Sequence, residues 1–165
     1  MSKIADLVLA DLDHELSNTR RMLERVPSDK LDYTPHEKSF SLGRLANHIT
    51  DMPALGLSVV TLPSFAFDAP RAAVTPATTP EQFVARWDER VAALREALGK
   101  ASDEDLKAVW KATAGPRTVV EAPRIAVLRG MVLSHMIHHR AQLTVYYRIN
   151  GVPLPGLYGP SADEA

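Results

Sequence analysis

The strongest constraint on this chain lies between Leu133 and Tyr147, in Leu133-Ser134-His135-Met136-Ile137-His138-His139-Arg140-Ala141-Gln142-Leu143-Thr144-Val145-Tyr146-Tyr147. His135 and His139 stand four residues apart, so a helix stacks their imidazoles one turn apart on one face. Leu128, Met131, Val132, Gln142, Leu143, Tyr146 and Ile149 share that face, and none of them is charged. A stripe of this kind has to be buried against other helices. The chain is therefore committed to helix packing with two imidazoles facing inward. Buried polar groups without partners cost free energy, and a divalent metal satisfies both imidazoles at once.

Three more segments carry helical periodicity. Helix one is predicted from about Lys3 to Val26, with Ala5, Val8, Leu12, Leu16, Thr19, Leu23 and Val26 on its inner face and His14 facing solvent. The stretch Lys30 to Phe40 has no period and is expected to be a connecting loop that exposes His36. Helix two begins near Ser39 or Ser41, either of which suits an N-cap, and places Leu45, His48, Met52, Leu55 and Val59 on one face. From Leu62 to Thr79 the chain is rich in proline and small residues, which predicts a long, mostly extended connection. Thr79-Pro80-Glu81 opens helix three, whose inner face carries Phe83, Val84, Trp87, Val91, Leu94 and Leu98.

Ser102 to Asp105 can cap a short turn holding Leu106, and Trp110 to Glu121 has no helical stripe and leaves room for a short extended piece. Helix four is expected from Pro123 to Asn150, ended by Gly151, with an irregular tail over residues 152–165. The fold class predicted is all-α: one domain over residues 1–165, a four-helix bundle with a long crossover connection between helices two and three.

Composition narrows the function. The 165 residues include no cysteine, which excludes disulfides, iron–sulfur ligation and a cysteine nucleophile. Any thiol chemistry must use a thiol supplied from outside. The net charge of −1, with acids and bases mixed, argues against a nucleic-acid partner. No apolar run approaches the roughly 20 residues of a membrane span. Asp6 comes too early for a signal peptide, so a cytoplasmic protein is expected.

His48 adds a third imidazole on a core-facing stripe, and bundles build metal sites from side chains on facing helices. Three imidazoles leave an open coordination position, which favours a catalytic over a structural metal. Imidazole suits zinc, nickel, copper and iron alike. His138 is an alternative to His139 as a ligand, or a flank residue. Asp51 is placed either to orient an imidazole or to face solvent. Gln142 and Tyr146 follow His139 on the site's face, as contacts to substrate or bound water or, for Tyr146, as core. Arg129, Arg140 and Arg148 line the far side of helix four beside Leu133, Ile137 and Tyr147, a mixed surface that predicts a homodimer contact.

Tyr33-Thr34-Pro35, with Lys38 to Gly43 and Leu45-Ala46-Asn47-His48, resembles the first motif of the DinB/YfiT-like family. His135 to Gln142 resembles the second, with Ala141 where the family usually has glycine, and Pro153 to Glu164, with Leu157 to Glu164 within it, resembles the family's tail. The resemblance implies a bundle, often dimeric, with a divalent metal, zinc or nickel first among candidates, on His48, His135 and His139. It implies as a first reading a transferase that activates an external low-molecular-weight thiol against a small-molecule substrate. Two alternatives stand beside it: a hydrolase using metal-bound hydroxide, and a non-catalytic, stress-related dimeric protein that binds a metal or ligand.

Overall fold

The helix beginnings follow from local chemistry. Ser41 caps one helix, its Oγ accepting from the Arg44 backbone N–H at 3.3 Å, and Thr79 caps the next through Gln82 N–H at 3.4 Å. Ser102 and Asp105 form a reciprocal box: Ser102 Oγ accepts from Asp105 N–H at 3.1 Å and Asp105 Oδ2 from Ser102 N–H at 2.9 Å. In this computed structural model, which describes residues 4–164, the elements are α1 Ile4–Leu23, α2 Leu42–Thr61, β1 Ser64–Ala66, α3 Pro80–Lys100, α4 Asp103–Lys107, β2 Val109–Ala114, β3 Arg117–Pro123, α5 Arg124–Val127 and α6 His135–Ile149. A π-helical stretch, Leu128–Ser134, joins α5 to α6. The expected start of helix one at Lys3 lies outside the described residues, as does Ala165 of the tail.

Most residues of the predicted inner faces are buried. Leu12 and Leu16 of α1, Leu45 and Met52 of α2, Phe83, Trp87 and Leu94 of α3, and Leu143 of α6 all belong to one apolar core. Close approach of α2 and α3 depends on Gly56, where a Cβ would lie 3.1 Å from Leu94 Cδ2. Gly43 does the same for the preceding loop: a Cβ there would lie 3.1 Å from Leu31 Cβ, and its N–H donates to the Leu31 carbonyl at 2.8 Å.

The all-α expectation is corrected. The molecule is mostly helical but carries a three-stranded sheet in the order β1-β2-β3. β2 and β3 form an antiparallel hairpin across Gly115, whose φ of +57° suits glycine. β1 pairs parallel to β2, Phe65 opposite Ala112. Alternation along β2 buries Trp110 and Ala112 and exposes Val109 and Lys111. The sheet therefore packs one face on the core.

The far side of the last helix is in part internal. Arg140 is 1% exposed and Tyr147 is fully buried. The Tyr147 hydroxyl donates to the Met22 carbonyl at 2.9 Å. Arg140 pairs with Glu15 at 2.5 Å and donates to Thr19 Oγ1 at 3.1 Å. For these two residues the mixed face meets α1 of the same chain. Ile149, placed on the inner stripe by periodicity, lies in the last turn of α6 and is 58% exposed. The tail is irregular as expected and is held by its acids. Asp163 pairs with Arg148 at 2.8 Å, and Glu164 pairs with Arg21 at 2.8 Å and accepts from Gly156 N–H at 2.9 Å.

Candidate metal centre

His48 projects from the second turn of α2, and His135 and His139 from the first turns of α6. Packing of α2 on α6 brings the three side chains together, with one donor atom from each within 4.8 Å of the others. His48 Nε2 lies 3.4 Å from His135 Nε2, and His135 Nε2 lies 2.7 Å from His139 Nε2. Irregular helix at Leu128–Ser134 ends where His135 begins, and π-turns of this sort are frequent at functional sites.

The donor set fits a cation. Burial, and then the neighbouring His139 and His135, push the His48 pKa down to about 4, with Arg44 adding to the fall and Asp51 opposing it. Burial likewise lowers His139, partly offset by its bond to Gln142. Neutral imidazoles offer lone pairs. Gln142 Oε1 lies 2.7 Å from His139 Nδ1; it accepts the Nδ1 proton and so leaves the Nε2 lone pair directed at the other two rings. Three Nε2 atoms converge with no carboxylate between them, so a shared cation can take a lone pair from each. Two imidazole nitrogens on one tetrahedral zinc stand about 3.3 Å apart, near the 3.4 Å His48–His135 spacing, while the 2.7 Å between His135 and His139 would have to open for both to bind one ion.

The other predicted residues divide. Gln142 reaches the triad through His139. His138 is exposed, its ring 5.0 Å from that of His139. Asp51 lies beside His48, but its carboxylate pairs with Arg90. Tyr146 is buried and its hydroxyl donates to the Phe40 carbonyl at 2.9 Å, which makes it part of the scaffold under the site. His14 and His36 are exposed and outside the cluster.

Three residues enter that the sequence did not single out by role. Phe40 packs edge-on to His48, ring centroids 5.9 Å apart, and stacks at 6.5 Å on His139. Arg44 lays its guanidinium over the same Phe40 ring at 3.8 Å. Asn47 clamps the long connection to α2: its Oδ1 accepts from Ala77 N–H at 2.8 Å and its Nδ2 donates to the Ala77 carbonyl at 3.0 Å. Phe40 and Asn47 lie within the first family motif and Arg44 between its two parts, and that was their one signal.

His48 opens onto two clefts. One, of about 500 Å³, is lined by Phe40, Arg44, Asn47, His48, Asp51 and Ala77 among others. The other, of about 420 Å³, is more apolar and includes Leu55, Phe65, Phe67 and Arg71. Both volumes suit a small molecule. A third cavity, of about 390 Å³ between α1 and the π-helical stretch, touches none of the three histidines.

A mostly helical protein with a three-histidine cluster at a helix–helix junction is thus defined by fold and site. Residues 1–165 match the model of the DinB family, and the chain belongs to that family. It is similar to the uncharacterized protein YrdA of Bacillus subtilis strain 168, 26% identical over 171 residues that cover 99% of this chain and 93% of the relative. Its fold is similar to the crystal structure of a DinB-like protein from Bacillus cereus ATCC 10987, with a TM-score of 0.70, 23% identity and coverage of 94% of this chain and 98% of the other. A DinB-like protein from Bacillus subtilis, YjoA, gives a TM-score of 0.70 at 18% identity, covering 94% and 99%. No helix among the described residues is long and apolar enough to cross a membrane.

Proposed function

We propose that the chain is a metal-dependent transferase that activates a low-molecular-weight thiol. The observation that carries the reading is the convergence of three Nε2 atoms, His48 and His139 held neutral by burial, at the mouth of two clefts. His48, His135 and His139 are the residues that would hold the metal, with zinc or nickel the first candidates for an all-imidazole set. When bound, a divalent ion supplies the positive charge that ionises a coordinating thiol.

The chain's own contribution is positional. Gln142 fixes the His139 tautomer, and Phe40 packs against two of the imidazoles. The clefts hold thiol and electrophile side by side, so that a sulfur–carbon bond forms as the leaving group departs with its bonding pair. With no cysteine in the chain, the thiol comes from outside. The hydrolytic alternative needs a base beside the triad; of its two candidates, Asp51 is committed to Arg90, and His138 is exposed with its ring 5.0 Å from that of His139.

α1, α2, α3 and the α5–α6 helix form a four-helix bundle with the sheet as an addition. The chain is one domain, acts in the cytoplasm as a homodimer and takes a small-molecule substrate. The test is a screen of thiols against electrophiles on zinc- and nickel-reconstituted protein, beside His135→Ala. Thiol-dependent turnover lost in the variant is expected. Turnover without thiol would favour hydrolysis, and no turnover with tight metal binding would favour a non-catalytic, stress-related binder.

A further inference from the structure

Arg44 sits where a cation gains nothing from its own helix. It lies in the first turn of α2, a turn that holds no acid and where the peptide dipoles disfavour positive charge. Its side chain is exposed, and among the described residues the guanidinium makes no ion pair and no hydrogen bond; its one contact of note is the Phe40 ring, 3.8 Å from centroid to guanidinium carbon. The other arginines near the clefts are committed. Arg90 holds Asp51, and Arg86 donates to the Thr75 carbonyl at 2.7 Å and to Asn47 Oδ1 at 3.3 Å. Arg71 is spent on the Phe67 carbonyl at 3.2 Å and on the Phe65 ring at 4.2 Å.

The platform under Arg44 is the ring that also packs on His48 and His139. Stacking holds one face of the planar guanidinium and leaves its donor edge available for a bidentate acceptor. Arg44 and His48 line the same cleft of about 500 Å³, so one small molecule can reach both.

We propose that Arg44, laid on Phe40, is an anion-binding subsite of the histidine centre, and that the molecule occupying that centre carries a carboxylate. The inference rests on reading the triad as the place where that molecule binds. A single negative charge fits better than a phosphate dianion: Arg44 is the one arginine or lysine among the described residues lining this cleft, and Asp32 and Asp51 line it too. Under the transferase reading the anion belongs to the thiol, making the co-substrate a mercapto-acid and not a neutral thiol. The role of Arg44 is to bind and orient.

The test uses 3-mercaptopropionate, its neutral amide 3-mercaptopropionamide, and thiol-free propionate. Each is titrated calorimetrically into the full chain reconstituted with zinc and into the chelator-treated chain. The proteins are wild type, Arg44→Gln and Arg44→Lys, each checked for fold by circular dichroism. The mercapto-acid is expected to bind wild type about tenfold tighter than the amide, as for one charge-assisted contact in a half-open cleft. That preference is expected to vanish in Arg44→Gln and to survive in part in Arg44→Lys.

Equal affinity of acid and amide for wild type, no measurable binding of either acid, or a preference undiminished in Arg44→Gln overturns the proposal. An Arg44-dependent preference shown equally by propionate keeps the anion subsite and removes only the thiol reading.

Discussion

At the residue scale, the site depends on which nitrogen of each imidazole faces inward. Gln142 settles this for His139 by accepting the Nδ1 proton at 2.7 Å. Gln142→Leu removes the acceptor and frees the other tautomer. Loss of such a partner lowers metal affinity by about 10–100-fold, and competition against a chelator of known affinity measures it. An unchanged affinity would mean that the ring is oriented by packing on Phe40 alone. Asp51→Asn, by contrast, is expected to leave metal affinity within about twofold, since its carboxylate pairs with Arg90 and bonds no imidazole.

Arg140 shows the limit of reading residues by sequence position. An arginine on a mixed helix face reads as part of a contact with a second copy. Its burial depends on Glu15, 125 positions earlier, and no periodicity in α6 contains that information. Phe40 and Asn47 were hidden for the same reason: one lies in an aperiodic loop and the other clamps a segment 30 residues away. The three histidines were legible because each sits on an apolar stripe, where an imidazole is conspicuous.

At the element scale, α1 and α6 are joined by the Arg140–Glu15 pair, with the arginine 1% exposed and the glutamate 12%. Arg140→Ala leaves the Glu15 carboxylate at this junction with the Tyr158 hydroxyl, at 2.7 Å, in place of its cation. Breaking a buried pair from one side costs about 3–5 kcal/mol, and urea unfolding measures it. Arg140→Met is expected to cost clearly less than Arg140→Ala, because it refills the volume.

The small sheet makes a separate claim. Trp110 of β2 is fully buried, so Trp110→Ala should cost about 3–5 kcal/mol if the sheet belongs to the core. A loss under about 1 kcal/mol would mark the sheet as a peripheral flap. Helices α1, α2, α3 and α6 were readable because a stripe repeated over three or more turns is a strong signal. Three-residue β1 has no period to read, and its pairing with β2 is set by tertiary contact.

At the scale of the whole molecule, the C-terminal tail is tied back by two carboxylates whose pKa values are both held below the usual range. The Arg148 side chain is the main cause for Asp163, and the Gly156 backbone N–H for Glu164. A depressed folded-state pKa means that the unfolded chain binds more protons in acid. The contribution is therefore complete above the ordinary carboxylate pKa and is lost as pH falls through the lowered values. Asp163→Asn with Glu164→Gln should lower the Tm at neutral pH and converge with wild type once the buffer is acid enough to protonate both carboxylates in the folded chain. A difference that persists in acid would assign the tail's hold to its apolar and backbone contacts.

The central claim is that His48, His135 and His139 together hold a divalent metal. The most direct measurement is elemental analysis of protein purified without a metal-affinity tag, beside His48→Ala, each before and after reconstitution with zinc or nickel. The prediction is about one metal per chain in the native protein, as for a single three-imidazole site, and its loss in the variant with the fold retained by circular dichroism. A native protein that takes up neither metal, or a His48→Ala variant that keeps its full metal content, would contradict the account.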